Sequence, residues 1–201
     1  MTPPGAPQRR SDARRNREAI LAAAHDVLSR RPDAGLAEVA RASGLTRTTV
    51  YAHFATREQL LEELVREAVA ATVRAIDACD PASGPADQAL LRVLAASWRQ
   101  VSRRAALVET VARGLGLEGE ELHAPVRERL RALLQRGRIE GTFRTDVPER
   151  WLLSVYFALV HAAGQELASG AGDARSAEQA LGRTLLGAFA PPSDEEHQDA
   201  R

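Results

Sequence analysis

Arg47, Thr48 and Thr49 are the residues whose types and spacing point most directly to chemistry, because a guanidinium and two hydroxyls fall together on the outer face of one short helix. A helix of that kind fits a DNA major groove by its N-terminal end, where an Arg such as Arg47 can donate two bonds to guanine O6 and N7. Covalent and metal chemistry have weaker footing. Glu120 and His123 have the Glu-x-x-His spacing that places two metal ligands on one helical face, but a di-metal bundle needs a second such pair and two more carboxylates. The single echo, Asp194 to His197, falls in a polar tail. The chain contains no GxSxG, HExxH or P-loop motif, and His161 lies on an apolar helix suited to a pocket or core histidine. We therefore expect a non-enzyme with no catalytic residue, no metal and no cofactor.

The elements that must position Arg47 are two short amphipathic segments meeting at Gly44. The first puts Leu36, Val39 and Ala40 on one face, and the second turns Leu45, Val50 and Phe54 inward, so a compact corner buries both stripes. Ala42-Ser43-Gly44 reads as the turn, with Gly44 free to take the positive φ that ends a helix. Thr46 stands at the N-cap position of the second segment, its hydroxyl able to accept from a backbone N–H one turn on. This is a helix-turn-helix pattern.

The runs REAILAAAHDVL (17–28) and LAEVARASGLTRTTVYAHFATREQLL (36–61) carry a further signal. Over about residues 14–65 the chain resembles the N-terminal DNA-binding domain of the tetracycline-repressor (TetR) family. The resemblance implies operator contacts from Thr46, Arg47, Thr48, Thr49, Tyr51, His53 and Arg57, with Tyr51 and His53 on phosphates while Arg47, Thr48 and Thr49 approach base edges. It departs from the family pattern in three places: Gly35 replaces a capping Ser or Thr, Arg57 replaces Lys, and Ser29 replaces an aromatic. It also implies a homodimer whose C-terminal domain binds a small-molecule effector.

Composition agrees with a DNA-binding protein despite a net charge of zero. Residues 1–60 hold ten Arg against six acids, and residues 61–201 hold seventeen against twenty-one, so only the N-terminal third favours a polyanion. All 27 basic residues are Arg, which we read as a mark of GC-rich coding. Hydrophobic residues make up 44% of the chain, enough for a substantial core. No run approaches the ~18 apolar residues of a membrane span, and the N-terminus has no signal-peptide core, so a cytoplasmic protein without membrane contact is expected. Cys79 is the only cysteine and cannot form an intramolecular disulfide.

Helical periodicity dominates the rest, and no alternation of period two stands out. Residues 1–11 read as a flexible arm whose Arg9 and Arg10, with Arg14, Arg15 and Arg17 beyond, could add phosphate contacts. Helices are predicted at about 12–31, 57–79, 86–103, 105–115, 121–138, 148–169 and 174–189, giving nine with the helix-turn-helix pair. The fold class is thus all-α: a three-helix DNA-binding domain (1–65), then a helical-bundle ligand-binding and dimerisation domain (66–201), with the boundary inside the long helix. Trp98, His123, Trp151, Tyr156 and His161 combine apolar bodies with polar tips and are the candidate ligand pocket. Ser154, Ala158, Ala162 and Gln165 form a small-residue ridge, so the helices at about 148–169 and 174–189 are the expected homodimer interface. The effector, operator and direction of regulation are not legible. Two alternatives stay open: a DNA-binding regulator that senses no small molecule, and a helical-bundle enzyme, which would require a second inward Glu-x-x-His.

Overall fold

A computed structural model describes residues 6–104 and 120–192, with side chains from residue 11 in the first stretch and from residue 123 in the second. Its elements are α1 (Ala6–Arg30), α2 (Leu36–Ser43), α3 (Arg47–His53), α4 (Arg57–Ala78), α5 (Ala86–Ser102), α6 (Glu120–Ile139), α7 (Glu149–Ala168) and α8 (Ala174–Phe189). The described residues contain no strand, so the all-α expectation holds. The helix expected at about 105–115 lies outside the described residues.

One correction concerns the N-terminus. The expected arm is helical from Ala6, because Pro7 sits in the first turn, where its missing N–H interrupts no helical bond. Arg14 pairs with Glu18 at 3.6 Å and Arg15 with Asp12, both within α1. The side chains of Arg9 and Arg10 lie outside the described residues.

The chain divides into two compact units that part between Glu67 and Ala68, inside α4. The first unit holds α1, α2, α3 and the start of α4. Its core gathers Ile20, Leu21, Ala24 and Leu28 from α1, Leu36, Val39 and Ala40 from α2, and Val50, Phe54, Leu60, Leu61 and Leu64 beyond. Helix α1 stops at Arg30 because Pro32 disfavours a helical conformation at Arg31.

The second unit packs α5 through α8 with the end of α4 around Ile76, Leu90, Leu94, Trp98, Leu130, Leu134, Leu152, Tyr156 and Phe189. Its large polar-tipped side chains are held by internal bonds. Trp98 is 1% exposed and its Nε1–H donates to the Ala174 carbonyl at 2.7 Å, pinning α5 to the start of α8. The Tyr156 hydroxyl meets Ser97 Oγ at 2.7 Å, joining α7 to α5. Burial pushes the Tyr156 phenol up to about 12. Phe143 lies so close over α6 that a Cβ on Gly137 would stand 2.1 Å from its ring, which only glycine tolerates.

Candidate nucleic-acid interface

Local bonds fix α3 at both ends. Gly44 caps α2 with φ 69°, a left-handed conformation that costs glycine little. Helix α2 runs through Ser43, so the turn is shorter than expected and amounts to Gly44, Leu45 and Thr46. Thr46 Oγ1 accepts from the Thr49 N–H at 3.1 Å, the cap its position predicted. Downstream, Thr56 Oγ1 accepts from the Gln59 N–H at 3.2 Å, and Gln59 Oε1 accepts from the Ala55 N–H at 3.0 Å. These bonds lock the corner between α3 and α4.

The outer face of α3 is free of internal obligations at three of its expected contacts. Arg47, Thr48 and Tyr51 are exposed, and none makes a side-chain hydrogen bond or ion pair with the described residues. Tyr51 is 48% exposed although its ring is large and apolar, a cost that a surface partner would remove. His53 is half-buried, its ring tilted against Phe54 with centroids 6.5 Å apart.

Two expected contacts turn out differently. Thr49 is half-buried and its hydroxyl is bonded to Thr46 Oγ1 at 2.8 Å, so it helps close the cap rather than facing outward with Arg47. Arg57 donates from Nε to the Ala34 carbonyl at 3.0 Å and from a terminal nitrogen to the Pro32 carbonyl. Its planar fork ties the loop between α1 and α2 to the start of α4, so Arg57 is a positioning residue. Sequence spacing could not show this, because the accepting carbonyls lie 23 and 25 residues away. Arg17 was likewise read as part of a phosphate-binding arginine cluster. It ion-pairs with Glu63, and its guanidinium lies 5.6 Å from the Phe54 ring centroid, bracing α1 against the end of α3.

The expected pocket residues separate into three groups. Trp98 and Tyr156 are core residues, since both are buried with their polar tips bonded to the chain. Trp151 is 60% exposed on α7. His123 and His161 come together, their ring centroids 5.1 Å apart, and His123 stacks on Phe157 at 4.9 Å and 29°. Burial, then His161 and Arg127, hold the His123 imidazole down to about 4, so it is neutral at physiological pH. Arg127 lies across Phe157, its Cζ 5.0 Å from the ring centroid. Arg127 and Phe157 were not among the expected site residues, although their signal is present in the spacing: His123-x3-Arg127 and Phe157-x3-His161 are each one helical turn.

A capped second helix with an outward guanidinium, hydroxyl and phenol defines a helix-turn-helix DNA-binding protein. The family model for bacterial regulatory proteins, tetR family, matches residues 20–64, so the chain carries that family's N-terminal domain. It is 44% identical over 80 residues to the HTH-type transcriptional repressor LfrR of Mycolicibacterium smegmatis; that match covers 40% of this chain and 42%, less than half, of the relative. The crystal structure of the TetR-like transcriptional regulator LfrR from Mycobacterium smegmatis in complex with proflavine is similar at TM-score 0.69 and 29% identity, over 88% of this chain and 97% of that one. The fatty acid degradation regulator FadR from Bacillus halodurans shares the fold at TM-score 0.76 and 19% identity, over 92% of this chain and 97% of that one. No helix among the described residues is long and apolar enough to cross a membrane.

Proposed function

We propose that this chain is a homodimeric repressor that binds an operator through α3 and releases it when a small molecule enters the second unit. The observation that carries the DNA-binding part is the outward Arg47, unpaired among the described residues, on a helix whose two ends are fixed by caps. In this reading Thr48 approaches base edges beside it, and Tyr51 and His53 seat the helix on phosphates. Arg47→Ala is expected to cost ~1–3 kcal/mol at one base position and to relax specificity there, whereas Tyr51→Phe weakens all sequences alike. Gel-shift titration against single-base operator variants separates the two. Equal losses on every operator would make Arg47 a phosphate contact, and no binding to any operator by the wild type would end the reading.

Dimerisation through α7 and α8 is supported by the ridge of Ser154, Ala158, Ala162 and Gln165, all of them exposed in the isolated chain. Ala180, Thr184 and Gly187 make a matching exposed row on α8. Trp151 falls on the same face of α7 as Ala158, which gives its exposed ring a role at this interface rather than in a pocket. Ala158→Arg would place an unpaired charge at the dyad and shift the protein to monomer. Sedimentation velocity reads this directly, and an unchanged dimer at micromolar concentration would move the interface elsewhere.

Release by a small molecule is supported by the solved LfrR complex with proflavine, a property of that protein. In this chain α4 begins in the first unit and ends in the second, so a ligand that moves its end acts on the element adjoining α3. The coupling required is modest, ~1–3 kcal/mol between ligand and operator. Two recognition helices must enter successive major grooves ~34–36 Å apart, so a small change in their separation is enough.

A further inference from the structure

We propose that His123, Arg127, Phe157 and His161 form the binding site for an aryl carboxylate, a flat apolar body carrying one negative charge. The proposal deepens the small-molecule reading above and rests on it for the consequence to DNA, though not for the binding itself.

The four residues are two pairs at helical i, i+4 spacing: His123 and Arg127 on α6 face Phe157 and His161 on α7. Their polar groups are one-sided. The Arg127 guanidinium has no carboxylate partner among the described residues, unlike Arg129, which is paired with Asp77, or Arg131, paired with Glu149. Arg127 Nε is buried with no hydrogen-bond acceptor. A buried donor left unmet costs ~1–3 kcal/mol, and more when it is charged. A neutral imidazole offers one N–H donor and one acceptor nitrogen, so it is the Arg127 guanidinium, with donors only, that tips the cluster towards donors.

The missing acceptor is anionic rather than metallic. A cation would meet the fixed positive charge of Arg127, and the described residues hold no group of three or more His, Cys, Asp or Glu that could chelate one. A carboxylate satisfies Arg127 with a charge-assisted bond and takes a second from an imidazole. The aryl part of the ligand follows from the neighbouring rings: His123 stacks on Phe157, and Tyr156 meets Phe157 edge-on at 5.6 Å and 82°, so the Arg127 charge lies among aromatic side chains.

The test uses 2-naphthoate, its uncharged amide 2-naphthamide and the cationic 2-naphthylmethylamine with the full-length protein, read by calorimetry and then by operator release. Naphthoate is expected to bind about tenfold or more tightly than the amide, with no binding of the amine. Arg127→Gln should remove that preference and Arg127→Lys restore part of it, with operator affinity without ligand unchanged in both. Wild-type protein supplies a readout that needs no variant: naphthoate should raise the His123 titration midpoint seen by NMR and draw protons from the buffer. Equal binding of acid and amide, or no naphthoate binding at millimolar concentration, overturns the site. If naphthoate binds through Arg127 but leaves the operator occupied, the site stands and the release reading falls.

Discussion

The two units handle their polar side chains in opposite ways. In the first, Arg47, Thr48 and Tyr51 point away from the protein, and the bonds beneath them exist to hold that posture. In the second, the polar tips of Trp98 and Tyr156 turn inward and are satisfied by Ala174 and Ser97. The difference separates recognition from scaffolding: the first unit displays its chemistry on a surface, and the second hides most of its own. Among the described residues the cluster around His123 and Arg127 departs from that pattern, with Arg127 Nε buried and without a partner.

The largest expected effect tests how fully the second unit is packed. Trp98→Ala should destabilise the protein by ~3–5 kcal/mol, since it empties a large buried volume and strands the Ala174 carbonyl. A thermal melt reads this directly, and a loss below ~1 kcal/mol would mean that the space around Trp98 is open, erasing the contrast.

A smaller effect comes from pH. His123 titrates at about 4 in the folded protein against 6.5 as its ordinary value, so the unfolded chain binds the extra proton between those limits. Its contribution is complete above ~6.5 and is lost as pH falls towards ~4, amounting to ~2–3 kcal/mol. Urea midpoints across this range should fall in the wild type and flatten in His123→Phe, which keeps the stack on Phe157. An unaltered slope in the variant would place the acid sensitivity in another group.

The smallest effect is a gain in the first unit. Gly35 caps α2 at φ −96°, and an added Cβ there would meet nothing within 4 Å. Glu38 Oε2 already accepts from the Gly35 N–H at 3.0 Å, so Gly35→Ser supplies the missing half of a capping box. We expect a gain of a few tenths of a kcal/mol and a melting temperature ~1–2 °C higher. No gain would show that the helix start is already held by other contacts, such as the ion pair between Arg31 and Glu38.

The same contrast explains what the sequence made legible. The start of α3 at the Thr46 cap, the positive φ of Gly44 and the whole of α8 follow from groups a few residues apart, and these could be read from spacing alone. Arg57, Trp98 and Tyr156 could not, because their partners lie 23 to 76 residues away and spacing carries no record of them. Trp151 was misread for the same reason: periodicity ranks a residue by its neighbours on one helix, whereas exposure depends on which other helices cover it. The His123 cluster was half legible, its histidines by type and its Arg127 missed because a charged residue on an amphipathic helix reads as solvated.

The placement of the four indole and phenol rings gives the protein its own optics. The chain has two Trp and two Tyr, and each pair splits into one buried and one exposed member, Trp98 with Trp151 and Tyr156 with Tyr51. Trp98 should emit to the blue and resist acrylamide, while Trp151 emits to the red, is quenched freely and loses that quenching when α7 is covered by a second copy. Absorbance near 295 nm distinguishes the phenols, since Tyr156 keeps its proton up to about 12 while the fold lasts. Packing and assembly can therefore be followed in unlabelled protein by separate signals.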